Sequence, residues 1–362
     1  MFIGVPKEIK PQENRVGLNP ESVHALVKAG HSVVVETNAG QGIMASDDEY
    51  RSVGATIAKH ADAVFESADM IVKVKEPQPI ECQKLREGQI LFTYLHLAPD
   101  PEQAKGLMES GCVAIAYETV TGEGARDLPL LRPMSEVAGR MAPLMGAVYS
   151  AKHFGGRGQL VSGVTGAPPT NILILGGGVS GFAAAQMAVG MGANVTITDM
   201  DDDRLSFLND HFDGKARTAK ASEYDLVKEL PHFDMVVGAV LIPGASAPQL
   251  ISRAMLKIMK PSAMLVDIAI DQGGCFETSR PTTHNDPVYE VDGIQHYCVA
   301  NMPGAYPLTS TAALNNATLP YVLAIADKGW ERALSDDFGL SQGLNVKNGK
   351  IVHAAVKSAL NL

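Results

Sequence analysis

The stretch ILILGGGVSGFAAAQMAVGMGANVTITD, residues 172–199, constrains the fold more than any other part of this chain. An apolar run breaks at glycines, continues as an alanine-rich helical run, and returns to a β-branched run that ends on an acid. Gly176, Gly178 and Gly181 have the spacing of a dinucleotide fingerprint. There the first glycine allows the tight turn, the second the approach of a pyrophosphate, and the third close helix–strand packing. The helix N-terminus offers unbonded N–H groups and a positive dipole end to phosphate. Asp199 follows Gly176 at about the 20-residue distance expected of an acid that accepts from ribose hydroxyls and repels a 2′-phosphate. A glycine turn by itself also serves as a tight βα connection, and methyltransferases place an acid after a second strand. Strand, glycines, helix and acid in one register favour a dinucleotide, NAD rather than NADP. Arg204, just past the acid, stands either toward the adenosine side or as a solvated helix charge.

The surrounding chain has 362 residues, enough for two domains, and 46% hydrophobic residues to fill their cores. A net charge of −10 without a basic run argues against nucleic acid or an anionic membrane as partner. Cys82, Cys112, Cys275 and Cys298 form no C-x-x-C pair, which speaks against a zinc or redox motif and fits a reducing cytosol. The start MFIGVPKEIK has no signal-peptide pattern, and no run approaches the ~20 apolar residues of a membrane span.

Before residue 130, FIGVP, HSVVVE, MIVKVK, QILFTY and CVAIAY read as strands between helical stretches such as 20–29 and 101–110. For the first helix Asn19 is the expected N-cap, Pro20 the N1 residue and Gly30 the terminator. SEVAGRMAPLMGAVYSAKHF reads as a longer helix with Val137, Met141, Leu144 and Val148 on its apolar face. A second run follows with NILIL, NVTIT, DMVVGAV, SAMLVDIAI and HYCVAN, then a long helix over 310–327, an Asn-Gly hairpin in NVKNGKIV and a closing helix in HAAVKSAL. The alternation predicts an α/β protein with two doubly wound parallel sheets and a crevice between them.

Ligands of open parallel sheets sit beyond the carboxyl ends of the strands. Arg15 follows the first strand, Lys75 ends MIVKVK, and His96 follows QILFTYL. Arginine and lysine suit a carboxylate, and histidine carries protons near neutral pH. Taken singly, each is also at home as a solvated or structural residue. In the second run MLVDIAI leads into Asp271, and Asn301 ends the last strand.

Beyond the fingerprint, GVPKEIKPQENRVGLNP, VKVKEP, LHLA, MSEVAGR, GGGVSG, VDIAIDQGGCFETSRPTTH, VANMPGA and NNATLPY occur in order from about residue 1 to residue 330. In these phrases the chain resembles the alanine dehydrogenase family. A relative of that family is the NAD(H)-binding subunit of the proton-pumping nicotinamide nucleotide transhydrogenase; the Lys75 and His96 phrases look like the dehydrogenase branch. The resemblance implies a substrate domain of residues 1–130 and 305–362 with an NAD-binding domain, 131–304, inserted, and a cytosolic homo-oligomer, usually a hexamer. It implies that Arg15 and Lys75 hold a substrate carboxylate and that His96 is the acid–base, with Asp271 assisting. Ser135, Gly178, Val179, Ser180, Asp199, Arg204, Val240, Leu241, Ile268, Arg280, Asn301 and Met302 then belong to NAD binding, beside Gly176 and Gly181. One departure is Tyr306-Pro307-Leu308, where the family usually carries a small aliphatic residue, proline and a base.

The activity implied is reversible oxidative deamination of L-alanine to pyruvate and ammonium with NAD and no metal. Two rivals are a dehydrogenase of a larger, saccharopine-type amino acid and a transhydrogenase-like subunit that holds NADH for a partner protein.

Overall fold

The computed structural model describes residues 1–124, 127–240 and 247–361. They form two compact units, Met1–Met134 with Gly304–Leu362, and Ser135–Pro303.

The first unit is built on an eight-stranded sheet. Its strands are β1 (Phe2–Val5), β2 (Ser32–Glu36), β3 (Thr56–Ala58), β4 (Met70–Val72), β5 (Ile90–Thr93), β6 (Val113–Ala116), and, from the chain's tail, the pair numbered β14 (Leu344–Lys347) and β15 (Lys350–Ile351). The order is β15-β14-β6-β5-β4-β1-β2-β3. The first six are parallel; β14 joins β6, and β15 joins β14, antiparallel. Strands β4, β5 and β6 are buried at every position, as strands covered on both faces must be. The strand order reverses between β1 and β4, which fixes where a ligand crevice opens. Asn19 caps the helix Pro20–Lys28 by accepting from Ser22 N at 2.9 Å, and Gly30 follows with φ 91°. The hairpin turns at Asn348 (φ 50°) and Gly349 (φ 68°), the left-handed pair that a two-residue turn demands.

The tail also supplies the long helix Pro307–Lys328. Its Asn315 is 1% exposed, accepts from Asn19 N at 2.6 Å and donates to Gly17 O at 3.0 Å. The loop that carries Arg15 is thus fastened by residues from the far end of the sequence. Tyr306 and Leu308, the departure noted above, are partly exposed at the start of this helix.

The second unit holds β7 (Asn171–Leu175), β8 (Asn194–Asp199), β9 (Ala216–Lys220), β10 (Met235–Gly238), β11 (Met264–Asp267), β12 (Val288–Val291) and β13 (Ile294–Tyr297). Their order is β12-β13-β11-β10-β7-β8-β9, parallel except for the edge strand β12. Ile172, Ile174, Met235, Val237, Met264 and Val266 enter one core, while Leu173, Leu175, Val236 and Leu265 enter another. Alternate residues therefore bury opposite faces, the signature of a sheet wound on both sides.

The structure corrects three local expectations. The helix spanning Arg132–Tyr149 buries Met141 and packs Val137 on the core as expected, but leaves Val148 42% exposed and Leu144 half-buried, and buries Ala138, Ala142 and Gly146 in their place. A Cβ on Gly146 would lie 2.5 Å from Met235, so a residue without a side chain is required where the helix approaches β10. Strand β11 stops at Asp267; Asp271 lies in the 3-10 turn Ile268–Gln272. Strand β13 ends at Tyr297, so Asn301 does not end a strand but lies beyond it.

Candidate functional site

In the first unit the proposed substrate residues follow the carboxyl ends of β1, β4 and β5. Arg15 is 3% exposed and pairs with Glu13 through Nε and Nη2 at 2.7 and 2.6 Å, a two-point fork. Burial opposes its charge, but the Glu13 carboxylate outweighs burial and holds the guanidinium above its ordinary value. Nη1 lies 2.9 Å from the Met134 sulfur. Arg15 is therefore balanced locally by a carboxylate that the sequence reading passed over.

Lys75 differs. It is 8% exposed, and its ammonium makes no hydrogen bond or ion pair among the described residues. Its charge is felt by Glu76: burial raises that carboxyl, but Lys75 and the Lys10 ammonium bonded to it bring it below the usual range. The backbone at Lys75 is fixed by Thr93 Oγ1, which donates to its carbonyl at 2.9 Å. Two residues earlier, Lys73 is 1% exposed between Glu8 (3.1 Å) and Glu81 (2.7 Å). That cluster is closed on itself, and a buried charge so paired is costly to break. A cavity of about 340 Å³ opens beside Arg15, lined by Lys7, Glu8, Glu13, Asn14, Asn38 and Gln41 among others; neither Lys75 nor His96 lines it.

His96 stands in the left-handed backbone region, φ 50°, a conformation that costs an L-residue roughly 1–2 kcal/mol. Its ring stacks on Tyr94, with 5.8 Å between centroids and 5° between planes. Tyr94 is held in turn by donating to Leu130 O at 2.5 Å. The His96 N–H donates to Glu118 Oε1 at 2.6 Å.

In the second unit the fingerprint glycines divide their work. Gly176 has φ 94°. A Cβ on Gly181 would lie 1.8 Å from Gly176 O, so helix and strand touch there. A Cβ on Gly178 would meet nothing within 4 Å, so the space before that backbone is open. Gly178 is also the N-cap of the helix Val179–Gly190 and brings no side-chain cap, leaving the first-turn N–H groups of Val179 and Ser180 without one. These residues fit a dinucleotide pyrophosphate. Asp199 ends β8 and accepts from Gly177 N at 2.7 Å, so the acid also fastens the glycine loop. The Arg204 guanidinium lies 5.3 and 4.7 Å from the ring centroids of Phe182 and Phe207 and donates to Gly177 O.

The remaining expected cofactor residues are spread along the same unit. Ser135 begins it and is half-buried. Val240 follows β10, and Ile268 follows β11, partly buried against the core. Leu241 lies outside the described residues. Arg280 stacks over Tyr289, 4.0 Å from the ring centroid. Asn301 has φ 62°, and its carbonyl meets His284 Nε2 at 3.1 Å. Met302 is 3% exposed within a core cluster, so its side chain is part of the packing.

Asp271 is exposed, and its carboxylate makes no hydrogen bond among the described residues. The acid that ends the strand is Asp267, fully buried. It accepts from Ala269 N (3.1 Å), Cys275 N (2.8 Å) and Ser279 Oγ (2.5 Å), and so ties the turn carrying Ile268 and Asp271. Burial raises its carboxyl to about 6 despite those bonds. Its position in VDIAID, four residues before the acid singled out, was the available signal.

Two family models match the chain: "Alanine dehydrogenase/PNT, N-terminal domain" over residues 4–138 and "Alanine dehydrogenase/PNT, C-terminal domain" over 142–354. The chain belongs to the alanine dehydrogenase/PNT family. A curated family member, the alanine dehydrogenase of Halomonas elongata, is 52% identical over 363 aligned positions, covering 100% of this chain and 97% of that protein. A solved L-alanine dehydrogenase is 48% identical with a TM-score of 0.95, covering 100% of this chain and 99% of that one. A transhydrogenase structure from Sinorhizobium meliloti is 25% identical with a TM-score of 0.81, covering 98% and 100%. The dehydrogenase is thus much nearer than the transhydrogenase in sequence and fold.

Proposed function

We propose that this chain is an NAD-dependent L-alanine dehydrogenase, interconverting L-alanine and water with pyruvate and ammonium. The observation that carries the reading is Lys75: a buried cation with no ion pair among the described residues, in the loop beyond β4, which stops at Val72 rather than running to Lys75, in a chain that also presents an open glycine loop. The first unit is then the substrate domain and the second the NAD domain.

Because Glu13 already balances Arg15, the net positive charge facing a substrate carboxylate comes chiefly from Lys75, with Arg15 orienting it. Gly176, Gly178, Val179, Ser180, Gly181, Asp199 and Arg204 hold NAD, which supplies the acceptor for the hydride of the substrate Cα. Fixing that carbon through its carboxylate is where positioning contributes most. Ser135, Val240, Leu241, Ile268, Arg280, Asn301 and Met302 complete the cofactor site, Met302 by packing. Once the substrate ammonium has given up a proton to solvent, loss of hydride from the neutral amine leaves the substrate as an iminium ion. His96 takes the proton from the water that adds at that carbon and returns one to the departing nitrogen, so that pyruvate and ammonium leave; Asp271 assists from the turn after β11. No helix of the described residues is long and apolar enough to cross a membrane. The working form we propose is a cytoplasmic homo-oligomer, a hexamer.

The test is the pure chain with NAD and a panel of amino acids. L-alanine giving NADH with no partner protein present supports the reading. Turnover confined to larger amino acids moves the assignment to a saccharopine-type enzyme, and binding of NADH without any turnover moves it to a transhydrogenase-like subunit.

A further inference from the structure

Strands β5 and β6 are parallel neighbours with Thr93 opposite Ala116, so the loops after them leave the sheet side by side. Leu95 and His96 lie on the first loop, and Glu118 lies on the second, in the 3-10 turn Tyr117–Thr119. The Glu118 carboxylate accepts from His96 N at 2.6 Å and from Leu95 N at 3.2 Å to both oxygens. Two consecutive N–H groups converge on one carboxylate, the arrangement of a backbone anion nest. The residue so held is the one with the left-handed backbone, φ 50°. A non-glycine residue stays in that region only when its surroundings over-determine it. The stacked Tyr94 ring fixes the imidazole, and the carboxylate fixes the backbone from which it projects.

We infer that Glu118 is a positioning residue for His96: it holds the 95–96 backbone in the conformation that aims the imidazole at the substrate. The inference rests on the acid–base reading of His96. Glu118 acts through His96 and touches neither substrate nor cofactor in this role. Without the carboxylate the loop relaxes toward ordinary backbone angles, and the imidazole leaves its working position. A misplacement of about 1 Å is worth roughly a hundredfold in rate.

The experiment compares Glu118→Ala, Glu118→Gln, His96→Ala and the double variant Glu118→Ala/His96→Ala. The full-length chain is used, with kcat, pyruvate KM, NADH binding and melting measured for each. Glu118→Ala is expected to lower kcat ten- to a hundredfold while pyruvate KM and NADH binding change less than about threefold. Glu118→Gln keeps one acceptor oxygen for the two N–H groups and recovers part of kcat. In the His96→Ala background, removing Glu118 adds no further loss, because residues acting as one unit are not additive. Full kcat in Glu118→Ala, or a further loss in the double variant equal to that in the single one, overturns the inference while leaving His96 in place. Should Glu118→Ala fail to fold, Glu118→Gln decides alone: reduced kcat at unchanged KM supports the role, and wild-type kcat removes it. High activity in His96→Ala instead defeats the acid–base reading on which the inference stands.

Discussion

Replacing Asp267 with asparagine should change how stability depends on pH, and the structure supplies the size of the effect. The carboxyl is fully buried, and its folded value is about 6 against an ordinary 3.8. A raised folded value means that the folded chain binds the proton more tightly than the unfolded chain does. The associated stability is fully present below about pH 4 and is lost as pH rises through about 6. A pKa difference of about 2 corresponds to about 3 kcal/mol in all, of which about 2 kcal/mol falls between pH 4.5 and pH 7.5. The asparagine variant carries no such contribution, because its amide does not titrate. Asparagine also presents an amide hydrogen where Cys275 N and Ser279 Oγ donate, but that cost is independent of pH. Urea unfolding of wild type and Asp267→Asn, followed by circular dichroism at the two pH values, isolates the slope. The wild-type advantage should shrink by about 2 kcal/mol on going to the higher pH, with an unchanged urea dependence. An advantage that stays constant across that range would falsify the account of a proton held by burial.

Lys75→Ala should raise pyruvate KM ten- to a hundredfold, as expected for a charge-assisted bond of roughly 1.5–3 kcal/mol, with NADH binding intact; normal pyruvate saturation removes Lys75 from the substrate site. His96→Ala should melt like wild type and bind NADH, yet lose at least about a hundredfold of turnover in both directions; retention of more than about a tenth of turnover makes Asp271 the leading base. Gly178→Ala should abolish NADH binding without lowering the melting temperature, since the added methyl meets only the space for the pyrophosphate, whereas Gly181→Ala should destabilise the unit itself. Calorimetric titration with NADH alongside melting curves separates the two, and equal behaviour of both variants contradicts the division of labour. Asp199→Ala should narrow the preference for NAD over NADP, measured as the ratio of kcat/KM, and should also loosen the Gly177 loop; an unchanged ratio takes Asp199 out of the ribose site.

The parts legible in the sequence were those whose signal is local. The glycine loop, its strands and its acid lie within 28 consecutive residues, and each has one physical job. The capped helix Pro20–Lys28 and the Asn-Gly hairpin are of the same kind. Strands β3, β9 and β12 passed unread because they are short or carry polar, half-exposed residues at the sheet edges, where no buried pattern marks them. The face of the helix Arg132–Tyr149 was read only in part: Met141 and Val137 pack as expected, but close packing put Ala138, Ala142 and Gly146 where Leu144 and Val148 were expected. At the site, the residue types at strand ends pointed to Arg15, Lys75 and His96. Their partners Glu13 and Glu118 were hidden for different reasons. Glu13 is two residues from Arg15 in an unremarkable polar run, and Glu118 reaches His96 only through the pairing of β5 with β6.

Fastening the Arg15 loop through Asn315 has a consequence for a chain still on the ribosome. Asn19 and Asn315 are 296 residues apart, and β6 acquires its outer neighbour only when β14 has been made. At synthesis rates of about 5–20 residues per second, the loop waits on the order of 15–60 s for its anchor. The second unit is one uninterrupted stretch, Ser135–Pro303, complete before that anchor exists. A nascent chain whose second unit has just left the ribosome would therefore already present a finished glycine loop to NADH while its carboxylate-binding half was still open along β6, an exposed edge for mispairing until translation ends.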